Sequence, residues 1–205
     1  MPKSVPLILM GGIAVLFLSA VSGALIHARE LAPAAEESAL PSLGVVPDFT
    51  FTDQNDARFS NNEKLAGNIW IANFFFTSCQ GPCPVQTSNL AKLTREFSSN
   101  PRVHFVSVSV DPDRDTAAAL RAYGARFGAH FLTWHFLRGS LSEVAGLSND
   151  AFKLGSPGDP TFHSTRFVLV DQQERIRGYY AGTEESDLTR LSNDIKALLR
   201  ETSQG

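Results

Sequence analysis

Cys79 and Cys83 are the only cysteines in this 205-residue chain, four positions apart in Thr77-Ser-Cys-Gln-Gly-Pro-Cys-Pro84. Two thiols at that spacing can act as a redox couple or give two donors to a metal ion. If the loop coils helically, positions i and i+4 fall on one side, and both sulfurs can point at one small ion. Gly81 permits a tight loop and Pro82 stiffens it. At a helix N-terminus, Cys83 would meet the positive end of the helix dipole, which favours a thiolate. Thiolates suit Cu(I) and also zinc. The competing reading is a disulfide kept for stability. Such a bond gains most when it closes a long loop. This one would close only a few residues, so the spacing argues for chemistry.

Two thiolates leave a metal site incomplete, and histidine is the natural complement. The chain has five histidines. His27 lies in a tether ahead of the core. His104 begins a strand, at the wrong edge of the sheet. His130 follows a helix, and His135 falls within a strand and reads as packed. His163 sits in the loop just before the strand Arg166–Asp171. In the arrangement expected below, that loop faces the cysteines, which makes His163 the third candidate donor.

The elements that must position these groups are legible in the apolar pattern. Asp48–Asp53 alternates, turns through Gln54-Asn55-Asp56 and returns at Arg58–Ser60, as a hairpin does. Ile69–Phe76 is nearly all apolar, as expected of a central strand covered on both faces. A helix is expected from Pro84, with Leu90, Leu93 and Phe97 on one face. Val103–Val110 reads as a second buried strand, and Asp111 follows at its end. Thr116–Phe127 reads as a helix with Asp115 as N-cap and Gly128 as stop. Trp134–Leu137 is a short strand, and Ser140-Leu-Ser-Glu143 is a capping box. Arg166–Asp171 and Arg175–Tyr180 form a hairpin, and Leu188, Leu191, Ile195 and Leu198 mark a last amphipathic helix. The order predicts an α/β, thioredoxin-like fold with an N-terminal β-hairpin and an inserted strand-helix near 134–147. Sites in open α/β sheets lie at the C-terminal ends of the parallel strands. Cys79 and Asp111 both stand at such ends and should be neighbours.

Three blocks resemble the Sco/SenC family: Asn73–Cys79 with Cys83-Pro84, Val108-Ser-Val-Asp-Pro-Asp-Arg-Asp-Thr116, and Phe162-His-Ser-Thr-Arg-Phe-Val-Leu-Val-Asp171. The resemblance runs from about Val46 to Tyr180. It implies a membrane-anchored thioredoxin-fold copper protein that serves cytochrome c oxidase assembly. The family's ligands fall on Cys79, Cys83 and His163, and the implied cargo is a copper ion, as Cu(I) or Cu(II). The implied partner is the copper-binding subunit of the oxidase, with another copper chaperone or a thioredoxin-like reductant as further candidates. The alternative is a thiol–disulfide oxidoreductase in which Cys79 and Cys83 are the redox-active pair.

Composition agrees with an exported domain. Val5–Ile26 is uncharged and apolar. As a helix it would rise roughly 33 Å, enough to cross a bilayer core of about 30 Å. Residues 1–28 thus read as a membrane anchor (or signal), 29–43 as a flexible Ala-, Pro- and Glu-containing tether, and 44–205 as one domain. Lys3 precedes the span, which puts the N-terminus in the cytosol (or matrix). The domain is then expected in the periplasm (or mitochondrial intermembrane space), held by a single pass of the inner membrane. Net charge is −3 with no basic cluster, which argues against nucleic acid as a partner.

Overall fold

A strand that is apolar on both faces needs cover on both faces, and the fold is built around one. The computed structural model describes residues 40–155 and 164–201. Within it Ile69–Phe75 (β3) is buried along its whole length. In chain order the elements are β1 (Thr50–Asp53), β2 (Arg58–Ser60), α1 (Asn61–Lys64), β3, α2 (Pro82–Glu96), β4 (Val103–Ser109), α3 (Ala117–Arg126), β5 (Trp134–Arg138), α4 (Leu141–Ala145), a π-helical turn (Gly146–Ala151), β6 (Arg166–Val170), β7 (Ile176–Ala181) and α5 (Glu185–Glu201).

The seven strands form one sheet in the order β2-β1-β5-β4-β3-β6-β7. β3, β4 and β5 are parallel, with Ile69 opposite Val103 and Phe105 opposite Trp134. β6 runs antiparallel to β3, with Trp70 opposite Val170, and β7 pairs with β6. This is the expected thioredoxin-like plan, with β5 and the hairpin β1–β2 added beyond β4. Alternation along β3 divides the core. Ile69, Ile71 and Phe75 pack with Leu90, Leu120, Leu191 and Ile195 of the helices. Trp70, Ala72 and Phe74 pack on the other side with Leu65, Val144, Leu147 and Phe152.

Local signals account for most boundaries. The capping box at Ser140 and Glu143 forms in full, and Gly128 ends the α3 region with φ of 72°. Two boundaries differ from expectation. α2 begins at Pro82 rather than Pro84, because proline tolerates the first turn, where no N–H is needed. The N-cap of α3 is Thr116, whose side chain accepts from Ala119 N–H, and not Asp115. Residues 40–43, tether-like in composition, are fastened to β7. Arg177 donates to the Pro41 and Leu40 carbonyls, and Leu43 N–H to Ile176. No helix among the described residues is long and apolar enough to cross a membrane. The span expected at Val5–Ile26 lies outside them.

His104 and His135 meet between β4 and β5, Nδ1 to Nε2 at 3.3 Å, with near-parallel rings. Burial first, then the neighbouring His104, pushes His135 down to about 4. Burial lowers His104 as well. An unfolded histidine takes its proton near 6.5, so the unfolded chain is protonated first. Stability is therefore full above about pH 6.5 and falls as pH drops toward 4, by roughly 3 kcal/mol. Urea unfolding midpoints measured from pH 7.5 to 4.5 should show this decline. His135→Phe should make it shallower, and an unchanged slope would rule out the pair as its source.

Candidate metal and thiol site

β3 ends at Phe75 and α2 begins at Pro82, and both cysteines belong to this junction. Cys79 N–H donates to the Phe76 carbonyl at 3.3 Å, which turns the chain at the strand end. Cys83 is the second residue of α2. The two thiols are not joined as a disulfide: Cys79 is half-buried and Cys83 only 5% exposed. Their side chains are near enough that Cys79 raises the Cys83 thiol. The turn out of β3 and the first turn of α2 thus place the two cysteines near each other at the end of a parallel strand. Two neighbouring sulfur donors suit a small soft cation.

The charge state of Cys83 departs from expectation. A helix N-terminus contributes about 0.3–1 kcal/mol to an anion, less than one pH unit. Burial, followed by the neighbouring Cys79 side chain, pushes the Cys83 thiol up from 9.0 to about 12. Desolvation wins over the dipole, and the inner cysteine of the free protein is a thiol.

Three polar groupings support the junction. Asp115 is fully buried. Its carboxylate accepts from Thr77 N–H at 3.1 Å, from Thr77 Oγ1, and from Ser109 Oγ at 2.5 Å. Behind Cys83, Thr87 and Tyr123 share a hydroxyl bond of 2.9 Å. Burial pushes the Tyr123 hydroxyl up to about 12, and the nearby thiols add to the rise. Through the core, Trp134 Nε1 donates to Ser107 Oγ and Ser107 Oγ to Asn73 Oδ1, at 3.0 and 2.7 Å. Asn73 Nδ2 reaches Gln86 Oε1 at 3.5 Å. Gln86 lies one turn beyond Cys83.

Gly182 joins this helix to the root of the β6 loop. Asn89 Nδ2 donates to its carbonyl at 3.0 Å, and its N–H donates to Thr165 at 2.7 Å. A Cβ there would come within 2.7 Å of Thr165 O and 2.9 Å of Gln86 Cγ.

Cys79 and Cys83 are therefore neighbours at the junction, one in the loop and one in α2. His163 lies outside the described residues. Among those residues no cluster of three or more His, Cys, Asp or Glu forms a metal site. His135 is packed, as expected. Asp111 turns to Arg114 at 3.3 Å, and it is Asp115 that reaches the cysteine loop. Sequence reasoning assigned Asp115 to a cap because Asp and Thr are both good N-caps and stand side by side. Gln86, Thr87, Tyr123 and Gly182 carried no signal of their own, because their partners are remote in sequence.

A family model described as SCO1/SenC matches residues 38–200. The chain belongs to the SCO1/SenC family. It is 32% identical over 158 residues to the SCO1 protein homolog of Bacillus subtilis (strain 168), covering 74% of this chain and 81% of that one. It is also similar to the solved structure of BsSco, at 31% identity and TM-score 0.68, covering 79% of this chain and 98% of that one. BsSco is described as having a disulfide switch and as a member of the Sco family of cytochrome c oxidase assembly proteins. ScoI of Bradyrhizobium japonicum, solved with copper bound, shares the fold at 21% identity and TM-score 0.61, covering 76% of this chain and 99% of that one.

Unequal burial and the raised Cys83 thiol predict unequal reactivity. At pH 7.5 iodoacetamide should modify Cys79 first. Cys83→Ser should retain fast labelling, whereas Cys79→Ser should label at least about tenfold more slowly. Equal rates for the two single-cysteine variants, read by mass spectrometry, would contradict this picture.

Proposed function

We propose that this chain carries copper to the copper-binding subunit of cytochrome c oxidase, with Cys79, Cys83 and His163 as ligands. The observation that carries the reading is the proximity of two unbonded thiols at the strand-to-helix junction. Family membership supports it, as do the oxidase-assembly description of BsSco and the copper bound in B. japonicum ScoI. Copper is cargo here, and delivery needs no catalytic base. Two thiolates hold Cu(I), and an added imidazole suits Cu(II). Cys83 is the inner, buried donor. Cys79, half-exposed, is the sulfur a partner's thiol can reach during ligand exchange. The apolar stretch Val5–Ile26 anchors the chain in the inner membrane, with the domain on the periplasmic (or intermembrane-space) side.

A second reading is favoured by the same neighbouring thiols and by the switch described for BsSco. In it the dithiol reduces a disulfide of the oxidase subunit or another exported partner. The Cys79 thiolate attacks one partner sulfur and expels the other. Cys83, losing its proton, then displaces the remaining partner sulfur and closes the Cys79–Cys83 disulfide. The partner gains two thiols, and a thioredoxin-like dithiol resets the pair. That cycle has no need of His163.

His163 separates the two. A fragment from residue 38, which keeps Leu40 and Pro41 on Arg177, should be soluble and bind one copper per chain. His163→Ala should keep dithiol–disulfide chemistry and lose at least about tenfold in Cu(II) affinity, about 1.4 kcal/mol. Cu(I) affinity should fall less, because two thiolates remain. His135→Phe should leave both metal affinities alone. A parent-like Cu(II) spectrum and affinity in His163→Ala would remove His163 from the site.

A further inference from the structure

Among the described residues two carboxylates are wholly buried, Asp171 and Asp115. Asp171 is compensated by Arg175 at 2.8 Å and Arg177 at 2.7 Å. No cation among the described residues pairs with Asp115. A buried charge is costly unless it is paired or fully hydrogen-bonded. Asp115 takes the second course, and the donors it collects are informative. Two are the N–H and Oγ1–H of Thr77, which stands 38 residues away in sequence and two before Cys79. The third is Ser109 Oγ, at the end of β4. The first turn of α3 follows directly, and its positive dipole end favours the carboxylate.

Thr77 lies where the chain has left β3 and has not yet entered α2, so neither a sheet ladder nor a helix holds its backbone. Asp115 supplies the missing attachment. Its backbone is fixed in turn, since its N–H donates to the Asp111 carbonyl at 2.9 Å and Thr116 caps α3. The mount of Cys79 is thus tied to β4 and α3. Cys83 is mounted independently, inside α2.

We infer that Asp115 is a positioning residue for the thiol pair: by holding Thr77 it sets the separation at which the Cys79 and Cys83 sulfurs meet. The inference rests on these thiols being the working site, not on the identity of a third ligand. A fixed loop raises the effective concentration of one thiol toward the other. Freeing the loop lowers it, and the disulfide and the two-sulfur chelate weaken together.

The test uses the full-length chain in detergent, equilibrated with reduced and oxidised glutathione. In Asp115→Asn the equilibrium constant for forming the Cys79–Cys83 disulfide should fall at least about tenfold, a potential about 30 mV higher for this two-electron couple. Cu(I) affinity should fall in the same variant. Thr77→Val should move both in the same sense, and Thr77→Ser, which restores the hydroxyl, should return them to parent values. Ser192→Ala, which loses a remote bond to Glu96, should lower the melting temperature without changing the constant. An Asp115→Asn protein that melts lower but keeps the parent constant would overturn the inference. If that variant does not fold, identical constants for Thr77→Val and Thr77→Ser overturn it instead. Should the parent bind no copper, the copper-carrier reading fails, and the glutathione arm still decides the role of Asp115.

Discussion

The structure depends on burying β3 from both sides. Ile69, Trp70, Ile71 and Ala72 are wholly inaccessible, and Phe74 and Phe75 nearly so. Burying a large apolar side chain contributes about 1.5–3 kcal/mol. One strand therefore commits two layers of structure to covering it. The helices α2, α3 and α5 cover one face. The turn after α4 and the residues around α1 cover the other. Once β3 is central and parallel to β4, the chain leaving it must emerge at the sheet edge where the parallel strands end. The thiols are at this edge because β3 stops there, not because the cysteines help to fold the domain.

The same burial sets the chemistry. Helix-dipole reasoning makes Cys83 a thiolate, but the apolar wall that α2 needs for packing places its sulfur in a medium that disfavours charge. The two effects differ severalfold, and the larger one decides. The outcome is an asymmetric pair. The accessible sulfur is open to exchange, and the inner one is held protonated until a cation or a redox partner takes the place of its proton. Asymmetry of this kind suits the proposed role, in which the pair receives and releases copper.

Two buried contacts stand where backbone order runs out. Asp115 braces the loop that β3 cannot, and Gly182 provides the close approach at which α2 meets the root of the β6 loop. At the other end of β3, Asp171 and Arg177 hold the entry of the chain near Leu40 and Pro41. The register of β6 on β3, Val170 opposite Trp70, puts that clamp and the thiols at opposite ends of the sheet. The thiol rim is thereby clear of the chain's own point of entry.

What the sequence determined by itself is what neighbouring residues decide. Alternation and apolar runs mark the strands, because side-chain direction repeats every two residues. The capping box at Ser140 is legible because both halves lie within one turn. Cysteines four positions apart are confined to one short segment, so their placement at the junction of strand and helix was also readable. The order of elements then implies the thioredoxin-like plan and the sheet edge on which Cys79 lies. Only the tertiary structure decided the rest. Whether Asp115 caps α3 or braces Thr77 turns on a partner 38 residues away. Whether Cys83 is charged turns on how much of it α2 and the sheet exclude from water. That Gly182 must be small turns on Thr165 and Gln86, which meet it only after β6, β7 and α2 have packed. These are properties of contacts between distant segments, and no local pattern encodes the distance at which they close.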